Sequence, residues 1–160
     1  MMSTQQDFLK NEFINLIKSI PTDTSPKWGK MSFQQMVEHF VDVMKIASGK
    51  TAFPEILTPE DRLEKMRAFM MSNKPFQENT KNPLLPETPA PVRSVSPEAA
   101  ITELDKEIRF FFSVFENNNL HITRNPLFGD LTYDENLHLL YKHAWHHLRQ
   151  FGIGMEGIKN

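Results

Sequence analysis

A proline-rich stretch at residues 73–95 constrains this 160-residue chain more than any other feature. It contains Pro75, Pro83, Pro86, Pro89 and Pro91. Proline lacks a backbone N–H and clashes with the preceding helical turn, so this stretch is not helical. We interpret it as a crossover that lets two consecutive helices run parallel and covers them as ordered coil, pinned by Phe76, Leu84 and Leu85. The alternative is a loose linker between domains, but the flanking segments are too short for two cores.

Helical periodicity on both sides of the crossover predicts the rest of the fold. Capping and stop signals place helices at residues 4–20, 32–49, 58–71, 96–115 and 132–152. Ser32 with Gln35, and Thr132 with Glu135, match the capping box. We find no strand of convincing length, no internal repeat and no coiled-coil heptads. The sequence therefore predicts one all-α domain over residues 1–160: a four-helix bundle with a short extra helix and one long crossover.

Composition argues against several classes of function. The 18 Lys and Arg residues do not outnumber the 20 Asp and Glu residues, so a nucleic-acid partner is not expected. No apolar run approaches the roughly 18 residues of a membrane span, and the N-terminus lacks a signal-peptide pattern. The chain has no cysteine, which removes disulfides, thiolate metal sites and a cysteine nucleophile. We expect a cytoplasmic protein.

Three of the six histidines fall within residues 141–150. His143 and His147 are four residues apart, so their imidazoles can meet on one face of a helix. On a helical wheel this pair lies on one shoulder of the apolar face, whereas His146 points toward solvent and is not expected to be a ligand. His39 lies on the edge of the apolar face of the second helix.

These histidines predict a metal site if the second and last helices are neighbours. Catalytic metal sites commonly use three protein ligands and leave one position open, and neutral imidazole suits zinc, nickel, copper and iron(II). Gln150 and Asn136 project on the side of the His143–His147 pair and are our candidates for orienting the rings. The alternative is a set of ordinary histidines bonded to backbone or solvent. The two remaining histidines are expected in a loop (His121) and on an exposed face (His138).

Two groups of motifs resemble the signatures of a known superfamily. The N-terminal group is Trp28-Gly29-Lys30-Met31-Ser32 with Gln35-Met36-Val37-Glu38-His39-Phe40. The C-terminal group is Asn125-Pro126-Leu127-Phe128-Gly129, Leu131-Thr132, Tyr141-Lys142-His143 and His146-His147-Leu148-Arg149-Gln150-Phe151-Gly152. Together they are similar to the DinB-like (YfiT-like) superfamily, in a branch known only as a domain of unknown function. The resemblance spans nearly the whole chain, and its last motif is the most specific. Asn125 occupies a position where we expect histidine in many members of that branch, which leaves the role of that turn open.

The resemblance implies a fold and a site. The fold is a four-helix bundle of up-down-down-up topology, and the site is a divalent metal held by His39, His143 and His147. Zinc or nickel is the first expectation, with iron or manganese as alternatives. Relatives in the superfamily include thiol-dependent S-transferases and a thiol-dependent isomerase, and others are described as hydrolases.

We therefore expect a metal-dependent enzyme in which an activated thiol or water attacks a small electrophilic substrate. Thiol transfer is slightly favoured, with a low-molecular-weight thiol drawn from solution. A metal-dependent hydrolase is one alternative, and a non-catalytic metal-binding or stress-response scaffold is another. The expected partners are the substrate and the thiol, without nucleic acid or membrane, and a homodimer is left open.

Overall fold

The computed structural model describes residues 4–78 and 88–154 and is mostly helical. An N-terminal helical segment consists of α1 (Thr4–Asp7), a π-helical segment (Phe8–Glu12) and α2 (Phe13–Ser19). The other helices are α3 (Phe33–Ser48), α4 (Glu60–Met71), α5 (Pro97–Asn117) and α6 (Tyr133–Gln150). A helix is present at each of the five predicted positions, and the first one contains a π-helical segment that the sequence did not signal.

The all-α prediction missed a small β-hairpin between α5 and α6. Strands β1 (Thr123–Asn125) and β2 (Gly129–Leu131) pair antiparallel, with Thr123 opposite Leu131. Strands this short give no readable alternation of apolar and polar residues. Asn125 Oδ1 accepts from the backbone N–H groups of Leu127 and Phe128, and Gly129 adopts φ 90°, a conformation that favours glycine. The turn at Asn125 therefore has a structural role in closing the hairpin.

Both predicted capping boxes are present. Ser32 Oγ accepts from the Gln35 backbone N–H, and the Gln35 side chain accepts from the Ser32 N–H in return. Thr132 and Glu135 make the same reciprocal pair at the start of α6. These caps fix where α3 and α6 begin, and with it the angular position of every later residue on each helix.

The core is aromatic and continuous with the histidines of α6. The Phe13 ring centroid lies 5.0 Å from that of Phe40, and Phe40 lies 5.3 Å from His143. Apolar clusters pack against α6 on two sides, so Leu139 and Trp145 are buried as well as the predicted apolar face. The helix is therefore covered around most of its circumference.

The order of contacts between helices gives their relative directions. Residues of α3 and of the turn after it contact α5 and the residues just before it in rising order: Gln34 with Ser94, Lys45 with Glu103, and Lys50 with Glu107. Residues of α3 contact α6 in falling order, with Phe33 near Phe151 and His39 near His143. Rising order is the pattern of parallel helices, and falling order is that of antiparallel helices.

A buried carboxylate holds the second described end of the crossover against α3. Glu38 accepts from the backbone N–H of Arg93 at 3.0 and 3.2 Å and from that of Ser94 at 2.9 Å. The Arg93 guanidinium reaches Asp42 with two bonds of 3.2 and 2.9 Å. Burial by itself would raise the pKa of Glu38, but the hydrogen bonds from Gln34, Ser94 and Arg93 outweigh it and lower that pKa. The predicted anchors Leu84 and Leu85 lie outside the described residues.

Replacing Glu38 by Gln is expected to lower the free energy of unfolding by about 1–3 kcal/mol, because the N–H donors of Arg93 and Ser94 lose a charged acceptor. The matched control is Asp42→Asn, which removes only a partly exposed partner of Arg93 and should cost less than about 1 kcal/mol. Urea denaturation measures both variants. Equal, small losses would show that Glu38 does not anchor the crossover.

Candidate metal centre

Three histidines from two helices bring one ring nitrogen each to the same place. His39 Nε2 lies 3.3 Å from His143 Nε2, and His147 Nε2 lies 2.9 Å from His143 Nε2. One ligand atom from each of the three rings lies within 4.8 Å of the others. A tetrahedral metal with bonds of about 2.0–2.1 Å would separate its nitrogen ligands by about 3.3 Å. The three imidazoles therefore fit a single divalent ion after small ring movements.

Each helix contributes to this convergence through its local sequence. His143 and His147 are one turn apart on α6, and their ring centroids are 4.7 Å apart. His39 reaches them from α3, with its centroid 5.2 Å from His143 and 5.0 Å from His147. The structure thus brings together the three residues that the sequence predicted as ligands.

Gln150, one of the two residues predicted to orient a ring, fixes the tautomer of His147 by its hydrogen bond. The Gln150 amide nitrogen donates to the Trp28 carbonyl at 3.0 Å, so its oxygen is the atom 2.8 Å from His147 Nδ1. An amide oxygen only accepts, so His147 carries its proton on Nδ1 and keeps a lone pair on Nε2. That lone pair faces the other two rings.

Gly29 allows the N-terminal motif to reach this hydrogen bond. It adopts φ 79°, and a Cβ atom built there would lie 3.1 Å from Gln150 Nε2. Glycine therefore suits this position for two reasons: the backbone conformation and the close approach of the amide. The pair Trp28–Gly29 sets the orientation of a ring on the last helix.

Asn136, the other residue expected to orient a ring, has a different role. Its buried Nδ2 donates to Thr123 Oγ1 at 2.9 Å and to the Thr132 carbonyl at 3.1 Å. Thr123 Oγ1 in turn donates to the Ala47 carbonyl. Asn136 therefore joins α6 to the hairpin and α3. It shares the angular position of the histidine pair but lies two turns, about 10 Å, away along the axis from His143.

His146 is not directed to solvent as the wheel predicted. It is half-buried, with ring centroids 5.4 Å from Trp28 and 5.9 Å from Phe76, and it hydrogen-bonds the backbone of Phe76. Burial, aided by the charge of Arg149, lowers the pKa of His146 to about 4. Two coil segments cover a face that α6 alone would expose. Among the described residues, the group whose nitrogens converge does not include His146.

His138 is likewise half-buried rather than on an exposed face. Its Nδ1 lies 3.0 Å from Gln5 Nε2, and its Nε2 lies 3.1 Å from the Ser72 carbonyl. It joins the N-terminal helical segment to the end of α4. His121 lies in a loop, as predicted.

Burial keeps the three converging histidines neutral. It lowers the pKa of His39, against a weaker opposing effect of Asp42. It holds the pKa values of His143 and His147 well below the ordinary value, and the repulsion between neighbouring histidines adds to the effect. Neutral imidazole is the form that binds a metal, so the environment favours ligation.

Two aromatic rings and a buried lysine lie near the histidines. The rings of Phe40 and Phe76 lie 5.3 and 5.8 Å from that of His143. Lys142 is buried beside them, which lowers its pKa, and its Nζ donates to the Phe69 carbonyl at 2.7 Å. Sequence reasoning missed Lys142, since a lysine next to a ligand on a helix gives no sign that its ammonium is buried.

Replacing Gln150 by Ala should weaken divalent-metal binding by about 10- to 100-fold, because His147 loses the acceptor that fixes its tautomer. Asn136→Ala is the matched control: it also removes a buried amide of α6, so it should reduce stability but leave metal affinity unchanged. Calorimetric titration with zinc measures both. Equal losses of affinity would contradict the role given to Gln150.

The free energy of unfolding of the metal-free protein should fall as the pH drops below about 6.5. Because burial lowers the folded-state pKa of His39, His143 and His147, the unfolded chain binds protons that the folded chain does not. The stabilisation is complete above the unfolded-state pKa and is lost as the pH falls toward the folded-state values. Each histidine contributes up to about 1.4 kcal/mol per pH unit.

Urea denaturation at several pH values between about 7.5 and 5 measures this slope. A His143→Asn variant should show a shallower slope, because it has one such histidine fewer. The same slope in the variant and the unchanged protein would contradict the explanation.

Comparison of the chain with family models, curated proteins and solved structures finds no match. Within residues 4–78 and 88–154, no helix is both long enough and apolar enough to cross a membrane. Any inference about function therefore depends on the residues and geometry of the histidine site.

Proposed function

We propose that this protein is a divalent-metal-dependent enzyme of the DinB-like type that transfers a low-molecular-weight thiol to a small electrophile. The observation that supports this most strongly is the convergence of three neutral imidazole nitrogens, one of them with a tautomer set by Gln150. Zinc or nickel suits such a donor set, with iron or manganese as alternatives. A divalent metal held there would supply the Lewis acidity that lowers the pKa of a thiol or a water molecule.

The proposal includes an up-down-down-up four-helix bundle built from the N-terminal helical segment, α3, α5 and α6. Contacts of the N-terminal segment with α6 rise together, from Gln5 with His138 to Phe8 with Trp145, which supports parallel first and last helices. The contacts described above support parallel α3 and α5, and an antiparallel α3 and α6. Bundles of this kind place metal sites between facing helices.

The groups around the histidines support a thiol rather than water as the proposed nucleophile. Among the described residues, the convergent group contains no Asp or Glu that could act as general base. A thiol has an ordinary pKa of about 8.5 and needs no such base when a metal is present, whereas the pKa of free water is far higher. The thiol proton goes to solvent, a carbon–sulfur bond forms, and the leaving group departs with its bonding electron pair. Because the chain has no cysteine, the thiol comes from solution.

The residues of the chain would hold and isolate this reaction. His39, His143 and His147 bind the metal, and Gln150 keeps the lone pair of His147 directed at it. The rings of Phe40 and Phe76 pack against His143 and cover part of it. The contacts of each side chain support the role proposed for it.

A non-catalytic metal-binding scaffold is the second candidate, and one observation favours it. His147 is only 3% exposed, and the Phe76 ring covers the neighbouring His143. A site that stayed closed in this way would bind a metal without admitting a substrate. The two candidates therefore differ in whether a small molecule can reach the histidines.

Purified protein is expected to bind one zinc or nickel ion per chain, with metal–nitrogen distances of about 2.0–2.1 Å by X-ray absorption. His39→Ala, His143→Ala and His147→Ala should each abolish stoichiometric binding, whereas the matched control His146→Ala should retain it. Equal loss in the control would show that His146 is a ligand and would contradict the assignment.

Turnover of a model alkylating electrophile with a small thiol, with and without the metal, then tests the reaction. Activity that survives complete metal removal would exclude the metal-dependent enzyme. Tight metal binding with no turnover of any electrophile or ester would favour the scaffold.

A further inference from the structure

Phe76 packs over two histidine rings of α6. Within residues 73–78 it is the sole side chain that is not exposed. Its ring presents edge-to-face contacts to His143 and His146, with centroids 5.8 and 5.9 Å away and interplanar angles of 78° and 90°. Its backbone is hydrogen-bonded by His146. A short exposed coil thus inserts one aromatic ring over the rings of α6.

Lys142 contacts the Phe76 ring through a buried ammonium group. It is 8% exposed, and none of the ion pairs formed within the described parts of the chain includes it. Its Nζ donates to the Phe69 carbonyl at 2.7 Å and lies 4.3 Å from the Phe69 ring centroid and 5.1 Å from that of Phe76. The two rings are themselves 5.6 Å apart. A buried ammonium therefore attracts two aromatic faces instead of a carboxylate.

We propose that Phe76 is the residue that controls access of small molecules to the histidine site, and that Lys142 positions it. The ring of His143 is half-buried with Phe76 in place, and it becomes more accessible when Phe76 moves away. Lys142 loses one of its two aromatic contacts but keeps the Phe69 carbonyl, so α4 and α6 stay joined while the coil moves. The closed form is favoured by the cation–π contact together with the His146 hydrogen bond.

This proposal deepens the proposed function, since the access that Phe76 controls would be access to the metal. It accounts for a site that is partly covered in an enzyme: His147 is buried and His39 and His143 are half-buried, so displacement of Phe76 would widen the approach for a substrate. The relevant property is the opening equilibrium, which is measurable in the metal-free protein as well as in the loaded one.

The first experiment uses metal-free protein and diethyl pyrocarbonate, which modifies accessible imidazoles. The modification rate of His143 is followed by peptide mass spectrometry, with the loop residue His121 as internal reference. Phe76→Ala should raise the rate at His143 by about tenfold or more, because the ring that covers part of His143 is absent. The matched control is Phe110→Ala, which removes another ring under an ammonium, that of Lys50 at 4.3 Å, away from the site. It should leave the His143 rate unchanged.

Lys142→Met should raise the same rate by about tenfold, which corresponds to about 1.4 kcal/mol and lies within the range of a desolvated cation–π contact. The double variant with Phe76→Ala should be no faster than Phe76→Ala alone, since Lys142 acts through the ring. Additive effects would instead give Lys142 a merely structural role and would overturn that part of the proposal. Thermal melting checks that each variant is folded, and Phe76→Leu replaces Phe76→Ala if the latter does not fold.

The second experiment loads the protein with cobalt(II) and follows azide binding by its visible spectrum. Faster azide binding in Phe76→Ala than in the unchanged protein supports control of access to the metal. Cobalt binding with equal azide rates and equal His143 modification rates would overturn the proposal while leaving the metal site intact. Absence of cobalt binding, together with faster His143 modification in Phe76→Ala, would refute the proposed function but keep the role of Phe76.

Discussion

The arrangement of this site depends on keeping three imidazoles neutral among aromatic side chains. Burial disfavours the protonated form and outweighs the opposing charge of Asp42 at His39, so His39, His143 and His147 all have lowered pKa values. Buried lone pairs still need partners. Without a metal, an Nε2–H of His143 can donate to the Nε2 lone pair of His147 at 2.9 Å or of His39 at 3.3 Å, and Gln150 accepts from Nδ1–H of His147. A divalent ion would satisfy all three Nε2 lone pairs at once, which is why this arrangement suits a metal better than an ordinary histidine cluster.

The absence of negative charge in the convergent group has a chemical consequence. A carboxylate ligand would neutralise part of the charge of a divalent ion, whereas three neutral nitrogens leave it undiminished for the remaining position. The same group offers no base among the described residues. Both properties are the reason for proposing a thiol, which ionises more easily than water, as the reaction partner.

Features that depend on a single helix could be predicted from the sequence. Features that depend on contacts between several elements could not. Capping residues and periodicity set the bounds of α3 and α6, and these bounds place His39, His143 and His147 on facing sides. The helical wheel failed for Asn136 because it gives the angle of a residue around the axis but not its position along the axis. It failed for His146 because it assigns a face without apolar residues to solvent. The coil residues Trp28 and Phe76 cover that face, and no periodic pattern reports where a coil will pack. The hairpin was missed because its pairing depends on an Asn125 side-chain turn and on two strands too short to show alternation.

The crossover links the fold to the site through residues next to the ligands. At its second described end, Glu38, which precedes His39, binds the backbone of Arg93 and Ser94. At its first end, Phe76 packs on His143 itself. The two described ends of the 73–95 segment thus contact the two helices that supply the histidines. A metal that binds only the folded arrangement would stabilise both helices, and with them the surfaces to which the crossover attaches. Conversely, the proposed displacement of Phe76 would change the surroundings of His143 through the coil at residues 73–78 alone, without requiring α3 or α6 to move.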